Sequence, residues 1–399
     1  MSRVSSQPRV LHMAALPFPT YQGTQGAIRH MLEASTRASR DAQLFTYASA
    51  GYARDFDFAV HRTGAFPHAS SLRSGPSLAK LALDLRMAVE LRWLCKRLSP
   101  DVIVAHHVEA AALALALGTA PVVFFAHTDL AAELPVYGPR LLQRPLARAG
   151  RALDRQLSAR APAVAVISKT LLAHFSARAS APRRRAFYVP TPWPVRPPST
   201  LAARQHARAQ LDLRSTAQVA LYAGNLDAYQ GIDTLVHAFA RCAARAPALH
   251  LLVATQSDPH ALVQRCMQLG VLGRLRLTGL RGAPARTLAH AAADFAVVPR
   301  LAPGGLPIKL LDALSRGVAC ATMPHACAGL SLREHVELAA DESPEALAQA
   351  IARLSEDSVR RADLAERGRD YLAAEHTDEH FLRALDAAIG AARERVTAS

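Results

Sequence analysis

Two series of short apolar or β-branched runs, each run followed by a segment of helical periodicity, divide the 399 residues into halves. The densest proline stretch of the chain, Pro190-Thr-Pro-Trp-Pro-Val-Arg-Pro-Pro198, lies between them. Parallel strands need a long crossover before the chain can rejoin the same sheet, and a helix usually supplies it. In the first half the runs predict strands at Val10–Leu16, Gln43–Ala48, Phe58–His61, Val102–His106, Val122–Ala126, Val164–Ile167 and Phe187–Val189. In the second half they predict strands at Val219–Ala223, His250–Ala254, Leu275–Thr278, Phe295–Val298 and Val318–Thr322. Helical periodicity fills the intervals, notably 24–39, 77–98 and 140–158, then 231–246, 259–269, 283–292 and 307–316. After Ser343 the strand signals stop and charged helical sequence runs to the end. The pattern predicts an α/β chain of two Rossmann-like doubly wound domains, residues 1–190 and 191–376, followed by a helix over 377–399. Ligands of such sheets bind beyond the carboxyl ends of the strands, so the cleft between the domains is the expected site.

Apolar residues make up 50% and charged residues 20% of the chain, which excludes a disordered polymer. The cysteines at 95, 242, 266, 320 and 327 are scattered without CxxC or Cys/His ligand spacing. They read as reduced core thiols. Met1–Arg9 lacks the basic-then-apolar design of a secretory signal. The most apolar stretch, Ala110–Ala126, is broken by Gly118, Thr119 and Pro121 into a helix and a strand, each too short to cross a bilayer. A cytoplasmic protein is the expectation.

The charge is uneven. Residues 1–198 carry 25 Lys and Arg against 11 Asp and Glu, whereas residues 199–399 carry 22 against 21. A polyanionic partner should therefore be met by the first half. That half has few clustered aromatics on which bases could stack, which argues against nucleic acid and leaves an anionic membrane surface. A segment over 138–160 fits this idea: Arg140, Arg144, Arg148, Arg151 and Arg155 recur at helical spacing, with Leu142, Leu146, Ala149, Leu153 and Leu157 on another face. Arg183, Arg184 and Arg185 would add to it. The alternative is a solvated helix face.

A GxGxxG fingerprint directly after a strand is absent from both halves, as is a Walker loop, which makes nicotinamide and flavin enzymes unsuitable readings. Three other segments carry chemistry. The loop Pro17–Gly26 joins a strand to a helix, and its Gly23 and Gly26 allow a phosphate or sugar close to backbone amides, with Tyr21 and Gln22 facing the acceptor side. The strand ending in Phe124-Phe-Ala-His127 places His127, followed by Asp129, at the cleft, where an imidazole can donate to a sugar hydroxyl or a developing oxyanion. A histidine there could instead simply cap the next helix. His106 ends the preceding strand in the same manner.

The third segment is the most informative, running from Val297 through Arg300, a Pro-Gly-Gly loop and a helix to Thr322. Gly304, Gly305 and Leu306 expose backbone N–H groups at a helix start, Lys309 adds a point charge, and Asp312 can accept two hydrogen bonds from a ribose. Those are the needs of a nucleoside diphosphate sugar.

On these residues the chain resembles the GT-B glycosyltransferases, specifically the retaining family 4 group. The likeness extends over nearly the whole length: the Pro/Gly loop after the first strand, His127-Thr128, Ala165-Val-Ile-Ser-Lys169, Tyr222-Ala-Gly224-Asn225-Leu226 with Gly231, and the block from 300 to 322. The family signature has two Glu residues separated by seven positions, and pairing it with this sequence puts Gly304 at the first Glu and Asp312 at the second. It also puts Asn225 and Gln230 where many members carry the Arg and Lys that clamp the diphosphate. A branch of the family reads Pro-Arg … Leu-Pro-Ile-Lys with Gly-Asn … Tyr-Gln-Gly, as this chain does, so the positive clamp is expected to be relocated to Arg300 and Lys309.

The resemblance implies a hexosyltransferase that moves a sugar from a UDP- or GDP-type sugar nucleotide with retention of configuration. No metal or other cofactor is implied, because side chains and a helix dipole take the place of a cation. The expected catalytic residues are His127, Arg300 and Lys309. The sugar nucleotide would be held by Gly23, Gly26, Gly224, Asn225, Gln230, Gly304, Gly305, Leu306 and Asp312. The acceptor, lipid-linked or a small molecule, would meet Tyr21, Gln22, His106 and Asp129 in the basic first domain, and the last helix would cross back to that domain. The alternatives are a catalytically impaired subunit that only binds a nucleotide sugar and a GT-B sugar-nucleotide epimerase.

Overall fold

The computed structural model of the chain describes residues 7–20, 23–48, 56–64, 78–176, 186–301, 305–327 and 329–397. Seven strands form the first sheet: β1 (Val10–Pro17), β2 (Ala42–Tyr47), β3 (Val60–Arg62), β4 (Val102–His106), β5 (Val122–Ala126), β6 (Ala163–Val166) and β7 (Ala186–Tyr188). All its pairings are parallel, in the order β3-β2-β1-β4-β5-β6-β7. Six strands form the second: β8 (Gln218–Ala223), β9 (Leu249–Thr255), β10 (Leu275–Gly279), β11 (Phe295–Val298), β12 (Cys320–Thr322) and β13 (Glu337–Leu338). It too is wholly parallel, ordered β10-β9-β8-β11-β12-β13. Helices cover both faces of such sheets, so central strands are apolar on both sides and lose the period-two alternation. Every residue of β4 and β5 is accordingly buried.

The doubly wound α/β class read from the sequence is the observed one. In each sheet the chain order reverses once, between β1 and β4 and between β8 and β11. A crevice opens at such a switch point, and the loops that leave these four strands build the site.

Three local differences have plain causes. Strand β13 has only two residues, too few for a period-two signal. The helix expected from residue 138 begins instead at Gln143, after a 3-10 turn at Arg140–Leu142. Pro145 explains this, because a proline ring clashes with the carbonyl four residues earlier and confines an α-helix to its own first turn. The helices Lys169–Ser176 and Leu201–Gln210 went unpredicted. Arg183, Arg184 and Arg185 lie outside the described residues.

The proline run is held down on both sides. Trp193 N donates to His376 O at 2.8 Å, and Arg196 N donates to Ser315 O at 2.8 Å. His376 Nδ1 lies 2.8 Å from Thr191 O. Beyond it the helix Asp378–Thr397 packs on β6, β7 and the helix Gly23–Arg37. There the Arg37 guanidinium grips Asp378 through two hydrogen bonds of 2.7 and 2.9 Å. The C-terminal helix thus rests on the first sheet.

Candidate active site

A cleft of about 670 Å³ lies where the two sheets face each other, lined from the first by the ends of β1 and β5 and from the second by the ends of β8 and β11. This is the size range of small-molecule sites. Its second-domain wall is built around Lys309, in the first turn of the helix Ile308–Ser315. Lys309 Nζ donates to the Tyr222 hydroxyl at 3.0 Å, and that hydroxyl donates in turn to Asn225 O. The lysine reaches this position by crossing Gly224, where a Cβ atom would stand 1.9 Å from Lys309 Cε. Burial pushes the ammonium well below its ordinary pKa, Arg300 adds repulsion, and Asp227 opposes both. An anion arriving in the cleft would relieve that strain.

Arg300 stands beside it, its guanidinium 5.6 Å over the Tyr229 ring. Asn225 Nδ2 donates to Asp227 Oδ2 at 2.6 Å and to the Tyr229 hydroxyl at 3.2 Å. Gly305 has a φ of +70°, and a Cβ there would stand 3.1 Å from His127 O and 3.2 Å from Arg300 Nη2. A side chain at this position would strain the backbone and press on both His127 and Arg300.

Asp312 is buried among cations. Its Oδ1 accepts from Arg316 Nε at 3.1 Å and its Oδ2 from Arg286 Nη1 at 3.2 Å, with His290 Nε2 at 3.9 Å. Burial works to raise its pKa, but His290, Arg286 and Arg316 together hold the carboxyl at about 2. Asp312, Arg286 and His290 all line the cleft.

On the first-domain wall His127 follows β5 and lines the cleft, with His107 stacked on it at 4.6 Å between ring centroids. His127 Nε2 lies 2.8 Å from His106 Nδ1. Burial, with His107 adding repulsion, keeps His127 well below the usual histidine range. Asp129 caps the short helix Leu130–Glu133, accepting from Ala131 N at 2.7 Å, and its Oδ2 lies 3.2 Å from His174 Nδ1.

Residues 24–195 match the family described as Glycosyltransferase Family 4, and residues 217–357 match that described as Glycosyl transferases group 1. One match falls on each sheet, and together they span well over half the chain. The chain belongs to the GT-B glycosyltransferases. Solved structures share the fold at low identity. Sucrose-phosphate synthase (tll1590) from Thermosynechococcus elongatus superimposes with a TM-score of 0.77 at 18% identity, covering 98% of this chain and 100% of that one. Alr3699/HepE from Anabaena in complex with UDP and glucose gives 0.71 at 16% identity, covering 95% and 99%. WaaG, a glycosyltransferase involved in lipopolysaccharide biosynthesis, gives 0.70 at 16% identity over the same shares. No curated protein sequence gives a significant match.

In this glycosyltransferase the cleft brings together His127, Arg300, Lys309, Gly23, Gly224, Asn225, Gln230, Gly305, Leu306, Asp129 and Asp312. Two residues are placed elsewhere. Gly26 lies inside the helix Gly23–Arg37, away from the lining, because the helix starts three residues earlier than a loop glycine would need. His106 has no exposed surface and sits behind His127. Tyr21, Gln22 and Gly304 lie outside the described residues. Sequence reasoning missed Tyr222 and Tyr229, which hold the polar wall, and the pair Arg286 and His290. The latter pair was detectable as two basic side chains four apart on one helix, facing the same side.

Proposed function

We propose that the glycosyltransferase takes its sugar from a nucleoside diphosphate sugar bound in the cleft and passes it, with retention of configuration, to a lipid-linked or small-molecule acceptor on the first-domain side. The observation that carries this reading is the convergence of Arg300, Lys309 and the N-terminus of the helix Ile308–Ser315 on one wall, opposite His127. Negative charge grows on the leaving diphosphate as the glycosidic bond breaks, and preorganised cations and helix-terminal N–H groups stabilise it most at that moment. Arg300 and Lys309 supply the charge that a divalent cation supplies elsewhere, so turnover should persist in excess chelator. Their presence weighs against the impaired-subunit reading. Fold relatives crystallised with UDP or with UDP-glucose support a nucleotide sugar as the ligand. Calorimetric titration with UDP and GDP tests the reading: saturable binding that weakens at least tenfold in Arg300→Ala supports it, and no binding of either nucleotide contradicts it.

A peripheral position on anionic lipid is favoured by a separate observation. Arg144, Arg148, Arg151 and Arg155 are exposed along one helix, and Leu141 and Leu142 at its start are 93% and 51% exposed. On the helix Leu78–Leu98, Leu81, Leu85, Val89 and Trp93 recur every fourth residue and are all exposed, near Arg86, Arg92, Lys96 and Arg97. Aliphatic and indole groups beside guanidinium groups suit the headgroup boundary of a bilayer. Among the described residues no helix is long and apolar enough to cross a membrane.

A further inference from the structure

Three histidines form a row beneath the cleft. The register pairs His12 with Val104 and His106 with Phe125. His106 therefore stands two residues beyond the partner of His12, and His127 two residues beyond the partner of His106. Side chains alternate between faces with period two, so all three point from the same face of the sheet. The rings meet through their nitrogens: His12 Nδ1 lies 3.0 Å from His106 Nε2, and His106 Nδ1 lies 2.8 Å from His127 Nε2. The row is dry, with exposures of 0%, 0% and 4%. Burial lowers the pKa of each ring, so all three are neutral at pH 7.

A neutral imidazole carries one N–H and one lone pair. The row consequently has two self-consistent proton arrangements. In the first, every ring is protonated on Nδ1, His12 donates to His106, His106 donates to His127, and an Nδ1–H remains for the cleft. In the second, every ring is protonated on Nε2, each bond reverses, and His127 offers the cleft a lone pair. The two differ at the inner end, where His12 Nε2 is buried without a hydrogen-bond partner among the described residues. The first arrangement leaves a lone pair there. The second buries an N–H with no acceptor, the rarer defect in folded proteins. The first also aligns three ring dipoles with their positive end toward the cleft, where Arg300 and Lys309 already favour an anionic ligand.

We propose that His12 and His106 are positioning residues that fix His127 as its Nδ1–H tautomer, so that His127 meets the substrate only as a hydrogen-bond donor. Its contribution to turnover rests on the sugar-nucleotide reading of the cleft, whereas the tautomer itself does not. His127 then cannot serve as the base that deprotonates the acceptor, because its basic nitrogen is occupied by His106. It can donate to a sugar hydroxyl or to an oxygen that gains charge as the glycosidic bond breaks.

Two-bond proton–nitrogen correlation spectra of the 15N-histidine-labelled full chain at pH 7 read the tautomer directly, with His→Gln variants giving the assignments. Nδ1–H patterns for His12, His106 and His127 are expected. An Nε2–H or doubly protonated His127 overturns the proposal, whatever the protein's activity. Kinetics provide the second reading. His106→Leu should lower kcat on the order of tenfold with little change in KM, since the lost alignment matters most in the transition state. His106→Asn, whose amide nitrogen can replace the Nδ1–H, should recover most of that loss. Equal loss in both variants would assign His106 a packing role alone. Nucleotide binding without turnover in the unmodified protein, alongside the expected spectra, would count against the transferase reading and leave the tautomer standing.

Discussion

Lys309 Nζ sits 3.0 Å from the Tyr222 hydroxyl and 5.0 Å from the centroid of the same ring. The tyrosine thus holds the ammonium over the loop that leaves β8, at the crevice where the second sheet reverses. The path of the lysine depends on Gly224, since any side chain there would occupy the space of Lys309 Cε. Gly224→Ala should therefore mimic Lys309→Ala. Each should lower turnover on the order of ten- to a thousandfold without changing the fold, which circular dichroism alongside steady-state kinetics would check. Native-like turnover in Gly224→Ala would mean that Lys309 works from another position.

The low pKa of Lys309 gives a proton-linkage test. A bound diphosphate raises that pKa, so at any pH between the free and bound values the complex holds more protons than the free protein. Nucleotide binding should then take up protons, and affinity should fall as pH rises through that window. Titrations in two buffers of different ionisation enthalpy measure the uptake. It should disappear in Lys309→Met, and its absence from the unmodified protein would contradict the placement of the diphosphate.

Asp312 shows why a role read from sequence needs the structure beside it. Its carboxylate neutralises buried Arg316 and half-buried Arg286, so removing it strands charge besides taking away the partner expected for a ribose. Asp312→Ala should cost about 3 kcal/mol of stability or more, because breaking a buried ion pair from one side leaves the other uncompensated. Urea melts would measure this. A loss under about 1 kcal/mol, the size of an ordinary surface change, would contradict the ion-pair role. Asp312→Asn, which keeps the shape, is the better variant for testing nucleotide affinity.

The strands and the positions of Arg300, Lys309 and His127 were legible because each rests on local signals: apolar runs, glycine and proline punctuation, and a helix start after a strand. What stayed hidden depends on register across strands. Nothing local to His12 says that it will meet His106, since the two are joined by the β1–β4 pairing. His106 read as a cleft residue because it ends a strand as His127 does, but its ring is fully buried behind that of His127. Tyr222 stood in the sequence only as part of a family-like motif, and the role of its hydroxyl shows only once Lys309 and Asn225 O are placed beside it.

The lipid reading makes its own prediction. Vesicle binding should rise with phosphatidylglycerol content and fall with salt, as charges beyond a Debye length of about 8 to 10 Å are screened. Replacing Arg144, Arg148 and Arg151 by Glu, or Leu85 and Trp93 by Glu, should abolish co-sedimentation while sparing nucleotide binding in the other domain. No sedimentation of the unmodified protein at low salt would favour a water-soluble acceptor and return both helix faces to solvent.

The central claim, that this cleft activates a nucleoside diphosphate sugar, is tested most directly by incubating the full chain with a panel of UDP- and GDP-sugars in chelator and measuring slow release of the nucleoside diphosphate. One sugar nucleotide should be consumed in preference to the rest, and Lys309→Ala should slow its consumption at least tenfold. Consumption of none of them, or an equal rate in the variant, would contradict the account.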